Sequence, residues 1–373
     1  MRINFVFLIV FLISSKLFGL TDFSAIDRRS VSIPDSLKTT SQISAYLVKD
    51  LKNDIEKVRA FYIWISHNIK YDIDLKRSVK RYKSNDEIIN EVLEKRTGVC
   101  QHYAELFHAF CQKAGIKSYV IRGYVRNGTS EIMDLGHTWN AVLIDRNYYN
   151  IDVTWASGYT LNNVYFSQFK DAYFLIEPQV FVKTHLPFDP AWQFSDNPIT
   201  LFEFNNQNYL KFSEKGNYNY RALISEIGNQ DKLTYLEQIN KRLLNLGELD
   251  ELILHEIGEN AFQITFEKGK LAVDSLNYAI DNYNLYVKHK NARFHNPNME
   301  DLQLRDLISN IERPLINADV ILQNTFTFNP DLRMQISDIR KSVYDFQAKM
   351  KIEKAFIDKY IKAKPSLRFL QFI

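Results

Sequence analysis

Apolar positions along this chain fall into three successive patterns, and the first is helical. After a polar stretch from Thr21 to about Ser36 that reads as loose chain, two helices are predicted, Thr40 to Leu51 and Asp54 to about Ile69. In the second, Ile55, Val58, Tyr62, Ile65 and Ile69 recur at three- and four-residue steps, with Asp54 as the N-cap. Asp72 to Asn85 is charged and reads as a loop. A further helix runs from Asp86 to Glu94, and Arg96-Thr97-Gly98-Val99 breaks it. From Cys100 the run CQHYAELFHAFCQKAG sets Ala104, Phe107, Ala109, Phe110 and Cys111 on or near one face, and Gly115 is placed to end that helix.

The second pattern is strand-like: Ser118 to Arg126, His137 to Ile144 and Tyr148 to Thr154, the last two joined by Asp145-Arg146-Asn147. Helices followed by a sheet imply an α+β domain. Beyond His185-Leu186-Pro187-Phe188-Asp189-Pro190 the third pattern begins. From about Ser195 onward, long helical periodicities dominate: Leu233 to Leu246, Lys268 to Lys288, Met299 to Leu322 and Asp331 to Ala363. They predict a helical bundle or antiparallel hairpin packing on itself or on the first domain. The chain therefore divides into a core over residues 37–195 and an all-helical C-terminal domain over residues 196–373.

Composition adds exclusions. A length of 373 residues with 46% hydrophobic and 24% charged residues describes a folded chain with room for two domains. The 26 Phe and 21 Tyr are read as core. A net charge of +3, with Lys and Arg scattered among Asp and Glu, gives no basic stripe and argues against nucleic-acid binding. Residues 1–20, MRINFVFLIVFLISSKLFGL, have one Arg, an apolar run from Phe5 to Ile13 and then small residues, the pattern of a signal peptide, with an uncleaved anchor as the alternative. Either reading puts the remainder outside the cytoplasm, secreted or periplasmic, and cleavage would leave no stable membrane insertion.

Only two cysteines are present, Cys100 and Cys111. On one helix at ~1.5 Å rise they stand about 16 Å apart, too far for a disulfide. Cys111 reads as a small buried hydrophobe. Cys100 follows a Gly-containing break and opens a helix, where roughly half a positive charge and unpaired N–H groups favour a thiolate and can receive an oxyanion. A base is still needed. His137 opens a strand in GHTWNAVLI and Asp152 lies in YYNIDVTW, so a hairpin could carry both on one face. A two-residue turn at Arg146-Asn147 sets Asp152 opposite Ala141, and one at Ile144-Asp145 sets it opposite His137. The sequence permits either. His102 and His108 point away from the thiol on their own helix, while His67 and His185 are not excluded as bases by geometry. Zinc chemistry lacks support, because the cysteine spacing matches no common site and HExxH is absent.

The strings GVCQHYAELFHAFCQKAGI, GYVRNG, GHTWNAVLI and IDVTW together resemble the core of the transglutaminase-like superfamily, a rearranged relative of papain-type thiol enzymes. The preceding VRAFYIWISHNIKYD resembles the helix leading into that core in the bacterial and kyphoscoliosis-peptidase-like branches, and HLPFDPAWQF resembles a segment that follows it in related exported bacterial proteins. The resemblance covers roughly residues 40 to 195 and leaves the helical remainder unaccounted for.

By this resemblance Cys100 corresponds to the nucleophile, His137 to the general base and acid, and Asp152 to the carboxylate that holds the imidazole. It implies a papain-like α+β fold and thiol-dependent hydrolysis or acyl transfer at amide bonds of a protein or peptide substrate. No cofactor or metal is implied, calcium included. The peptide N-glycanase branch carries CxxC zinc pairs that this chain lacks. Because superfamily members have also lost catalysis and persisted as scaffolds, the competing expectation is an inactive core that binds an envelope or extracellular partner. The helical domain is a candidate for contacting a protein partner. Trp139 and Trp155 are expected to pack the sheet and wall the site. The acceptor, water or amine, and the second oxyanion donor are not specified by these residues.

Overall fold

Nine consecutive residues, Val58 to Ser66, are buried in the helix Asp54–Asn68, and the first domain is assembled around this segment. The computed structural model describes residues 22–76, 80–82, 84–126, 131–247, 249–295 and 298–372; the expected leader, residues 1–20, lies outside them. The chain forms two compact units, one ending at Gln230 and also taking in Asn245–Ile253, the other made of Asp231–Leu244 and Leu254–Ile373.

In the first unit, helices α1 (Ser24–Val31), α2 (Thr40–Val48), α3 (Asp54–Asn68), α4 (Asn85–Lys95) and α5 (Cys100–Lys113) precede the sheet. Helix α1 departs from the loose chain expected there. Its own periodicity is weak, and its anchor comes from α3: Arg59 donates to both carboxylate oxygens of Asp27 at 2.8 and 2.7 Å and to Asp171. The guanidinium also lies over the rings of Phe23 and Phe174, at 5.1 and 4.9 Å from their centroids. A cation buried to this degree needs such partners, and they fix α1 by tertiary contact. The cap of α3 is Asn53, one residue before the expected Asp54, its side-chain oxygen accepting the Glu56 N–H at 2.9 Å.

A two-rung parallel ladder joins β1 (Lys70–Tyr71) to β2 (Thr97–Gly98), pairing Tyr71 with Gly98 and so carrying Tyr71 to the approach of Cys100. Strands β3 (Ser118–Val125), β4 (His137–Ile144), β5 (Asn147–Ile151) and, after a short hairpin of β6 (Gly158–Leu161) and β7 (Val164–Ser167), β8 (His185–Pro187) follow. The main antiparallel sheet has the order β5-β4-β3-β8. One face packs on α5, where Asn140 of β4 donates to the carbonyls of Ala104 and Tyr119 at 3.0 and 3.3 Å. Helices and sheet share one core containing Phe61, Trp64, Leu106, Phe110, Val142 and Ile151, the α+β architecture expected.

The second unit is helical: α7 (Lys232–Leu244), α8 (Glu251–Asn291, its first turn grouping with the first unit), α9 (Asp301–Gln323) and α10 (Pro330–Lys362), numbered to leave α6 for Val153–Ser157 of the first unit. Its core includes Tyr286, Phe294, Ile308, Ile311, Leu315, Met350 and Ile357. Helix α8 is longer than the expected Lys268 to Lys288 and runs through Gly258 and Gly269 without a break. A Cβ at Gly269 would lie 3.1 Å from Ile336 Cδ1, so the missing side chain admits the neighbouring helix. Among the described residues no helix is long and apolar enough to cross a membrane.

Gly123 pairs with His137 on one side and Pro187 on the other. A Cβ there would lie 2.1 Å from the Leu186 carbonyl oxygen and 2.7 Å from Trp139 Cη2, so β8 can approach β3 only where no side chain intervenes. Gly123→Ala is expected to destabilise the protein by about 2 kcal/mol or more. Gly258→Ala, which meets nothing within 4 Å, is expected to be neutral or stabilising by up to ~1 kcal/mol. Urea unfolding of the two variants checks both, and an unperturbed Gly123→Ala would refute the close approach.

Candidate active site

Cys100 is the first residue of α5, preceded by the extended N-cap Val99. It is partly open to solvent, whereas Cys111 is buried, and neither is in a disulfide. The Asn140–Ala104 bond ties β4 to α5, and His137 and Thr138 of β4 lie against the Cys100 sulfur and favour its thiolate.

The β4–β5 hairpin obeys neither register considered above. Its two turn residues are Asp145 and Arg146, both at positive φ (48° and 66°), and Ile144 pairs with Asn147. Two left-handed residues give the turn whose twist matches the strands. The ladder ends at Asn140 opposite Ile151. Asp152, inside the expected strand, thus lies one residue beyond the observed one, and Val153–Ser157 form α6 in place of the expected strand's end. Asp152 N-caps this helix, one oxygen accepting the Trp155 N–H at 3.0 Å. Its other oxygen accepts from His137 Nε2–H at 2.8 Å. With Nε2 directed at the carboxylate, Nδ1 is the ring nitrogen left for the thiol. Cys100, His137 and Asp152 are therefore brought together in one line.

A fourth residue joins them. His185, on β8, donates from Nε2 to the same Asp152 oxygen at 3.2 Å, while its Nδ1 lies 2.8 Å from the Thr184 hydroxyl, which donates to it. Its ring stacks on Phe181 at 3.9 Å and meets Trp155 at 4.6 Å. Trp155 also lies 5.5 Å from the His137 ring, so it walls both imidazoles. His185 was legible in the sequence only as a base not excluded by geometry, because nothing in its spacing announces that β8, three places from β5 in the sheet, comes up to Asp152. The other histidines go elsewhere. His67 Nδ1 meets the Ile63 carbonyl at 2.9 Å, His108 Nδ1 meets Ser118 Oγ at 2.8 Å, and His102 Nε2 meets the Tyr82 hydroxyl at 2.9 Å. Among the described residues, His137, Asp152 and His185 also form the set that could hold a metal ion, their ligand atoms all lying within 4.8 Å of one another. In the hydrogen-bonded arrangement both Nε2–H groups and the carboxylate already satisfy each other.

Burial would neutralise each of these groups, and the neighbours decide which keep a charge. For His137 burial pushes the pKa down, but the Asp152 charge and hydrogen bond, aided by Cys100, raise it to about 10. Asp152 is pushed up by burial and held well below the carboxylate range by the charge and hydrogen bond of His137 and by His185. Burial likewise pushes the Cys100 thiol up, and His137 with Thr138 outweighs it, leaving the thiol below its ordinary value. His185 falls to about 4, because burial and the His137 charge outweigh Asp152, so it is neutral. Burial alone dominates at Cys111, whose thiol is driven far up.

Tyr71 stands beside this line. Burial first, then the charges of Cys100, Asp152 and Asp72, drive its phenol well above the usual range, so it remains an O–H donor. A cavity of about 510 Å³ is lined by Ile73, Lys76, Leu135, Thr160 and Asn163, with Ile73 close in sequence to Tyr71 and Leu135 close to His137.

Residues 41–153 match the family described as the transglutaminase-like superfamily. The mouse kyphoscoliosis peptidase is 31% identical over 187 residues, 47% of this chain and 28% of its own length. The human kyphoscoliosis peptidase is 33% identical over 181 residues, 46% of this chain and 27% of its own. The chain thus spans little more than a quarter of the curated relatives it matches. A solved chain described as a TGase superposes with a TM-score of 0.25 at 19% identity, covering 42% of this chain and 38% of that one. Residues 41–153 of this chain thus carry a core of the transglutaminase-like superfamily.

Proposed function

We propose that this protein is an exported thiol-dependent enzyme that cleaves or transfers acyl groups at amide bonds of proteins or peptides, with Cys100 as nucleophile, His137 as base and acid, and Asp152 as the residue that orients His137. The observation that carries this reading is the continuous line of contacts from a thiol at a helix N-terminus, through imidazole, to a buried carboxylate at 2.8 Å. The match of residues 41–153 to the transglutaminase-like superfamily supports the general chemistry. The apolar leader over residues 1–20 supports export.

In this mechanism the Cys100 sulfur forms a bond to the substrate carbonyl carbon, and the carbonyl electron pair moves to oxygen. The Cys100 N–H at the start of α5 is one oxyanion donor by position, and Tyr71 O–H is a candidate second. His137, cationic after taking the thiol proton, returns it to the leaving amine as the C–N bond breaks. Asp152 keeps the ring oriented and stabilises the cation. Water or an amine then attacks the thioester, giving hydrolysis or transamidation. The cavity lined by Ile73, Lys76, Leu135, Thr160 and Asn163 is a candidate site for the acyl donor's flanking residues.

Iodoacetamide labelling from about pH 4 to 9 is expected to modify Cys100 rapidly and well below the ordinary thiol range of ~8.5, to leave buried Cys111 silent, and to lose its low-pH limb in His137→Ala. Labelling of wild-type Cys100 that rises only near pH ~8.5 would sink the catalytic reading and favour the binding scaffold. Incorporation of dansylcadaverine into casein against release of casein peptides separates amine from water as acceptor.

Asp152→Asn removes the group that opposes burial at His137. The His137 titration, followed by NMR, is expected to fall from about 10 by several units, toward or below ~6.5. The folded value lies above the unfolded one, so the stabilisation Asp152 gives through His137 is complete below pH ~6.5 and is lost as pH rises through about 10. The stability gap between wild type and Asp152→Asn should narrow across that window in urea titrations. A gap constant with pH would argue against a cationic His137.

A further inference from the structure

His102 is two residues from Cys100, fully buried, and unused by the chemistry above. Its ring lies under β2, where a Cβ on Gly98 would come 2.5 Å from His102 Cβ. Nδ1 faces the backbone N–H of Val99 at 3.4 Å, and Nε2 faces the Tyr82 hydroxyl at 2.9 Å. Tyr82 is in turn hydrogen-bonded to Glu91. Lys80 and Lys95 hold Glu91 at 2.5 and 2.7 Å and outweigh its burial, keeping it ionised down to about pH 2.

The protons along this chain have one consistent direction. An ionised carboxylate only accepts, so Tyr82 donates to Glu91. The Tyr82 oxygen then accepts from His102 Nε2–H, and Nδ1 keeps a lone pair for the Val99 N–H. Val99 is the N-cap of α5 and His102 its third residue, the position from which a Glu or Gln side chain reaches back in a capping box. A carboxylate there would place a negative charge beside the thiol and disfavour the thiolate. A neutral imidazole supplies the acceptor without the charge, and burial keeps it neutral by lowering its pKa to about 4.

We propose that His102 is a positioning residue for Cys100: locked as the Nε2–H tautomer by Tyr82 and Glu91, it fastens the N-cap amide of α5 and thereby fixes the helix turn that presents the thiol to His137. This rests on the reading of Cys100 as the nucleophile, and it assigns the Glu91–Tyr82–His102 chain the task of holding that turn from the far side.

The test compares full-length wild type, His102→Gln and His102→Leu by three readouts: ¹⁵N shifts of the His102 ring, amide hydrogen exchange at Val99 and Cys100, and the pH profile of iodoacetamide labelling. Wild type should show a protonated Nε2 and a bare Nδ1 at neutral pH. His102→Leu should speed Val99 exchange by several-fold to about tenfold, the scale of one lost hydrogen bond, and move the Cys100 labelling midpoint upward. His102→Gln, whose side-chain oxygen can accept the same amide, should restore both. If His102→Leu fails to fold, Tyr82→Phe, which removes the acceptor of Nε2–H, should give a mixture of tautomers and faster Val99 exchange. A protonated Nδ1 in wild type, or Val99 exchange and labelling unchanged in a folded His102→Leu, overturns the proposal, as does a glutamine variant no better than leucine. An ordinary thiol profile in wild-type Cys100 defeats the catalytic reading alone, since tautomer and amide exchange still decide whether His102 fastens the turn.

Discussion

A carboxylate with no exposure to water has to be surrounded by donors, and Asp152 organises the first unit because its three come from separate parts of the chain. One oxygen takes the Trp155 N–H and starts α6; the other takes His137 from β4 and His185 from β8. The same charge keeps His137 cationic inside an aromatic enclosure where burial would otherwise strip its proton, and through His137 it lowers the Cys100 thiol. The sheet order β5-β4-β3-β8 is what lets these segments converge, and the absence of a side chain at Gly123 is what lets β8 close up.

Two histidines on one carboxylate oxygen have unequal states for a physical reason. His137 has the acid on one nitrogen and the thiol toward the other, and the Asp152 charge and hydrogen bond, aided by Cys100, hold its proton against burial. His185 shares the acid but faces a hydroxyl on the other nitrogen and the His137 charge nearby, so it is neutral. A buried site of this kind holds one net ion pair where two cations would leave charge unbalanced. The neutral ring is then free to act as packing against Phe181 and Trp155, which gives the polar cluster a rigid apolar wall.

The Cys100 end depends on a different kind of support. Helix α5 is fastened to the sheet by Asn140 and at its first turn by His102, while the β1–β2 ladder brings Tyr71 to the same place. None of the Asn140 and His102 bonds is made to the sulfur itself, yet each limits where the helix N-terminus can lie, and the reactivity of a thiol there follows from that placement. Arg59 does comparable work for α1, which it holds through the Asp27 carboxylate while also reaching Asp171, both distant from it in sequence.

The sequence by itself determined the helical and strand segments whose apolar periods are strong: α2 to α5, β3, β4 and the long helices of the second unit, together with the identities of Cys100, His137 and Asp152 as residues suited to act together. Those readings depend on local patterns, which repeat within a few residues and can be counted. Tertiary structure decided what local patterns do not encode. Helix α1 forms because Arg59 reaches it, α8 continues past Gly269 where a neighbouring helix fills the space, and the hairpin turns at Asp145-Arg146 because left-handed backbone there matches the strand twist. His185 enters the site, and His102 meets Tyr82, only once strands and helices separated in the chain have packed, since a buried charge or hydrogen bond selects partners by proximity in space and not by spacing in sequence.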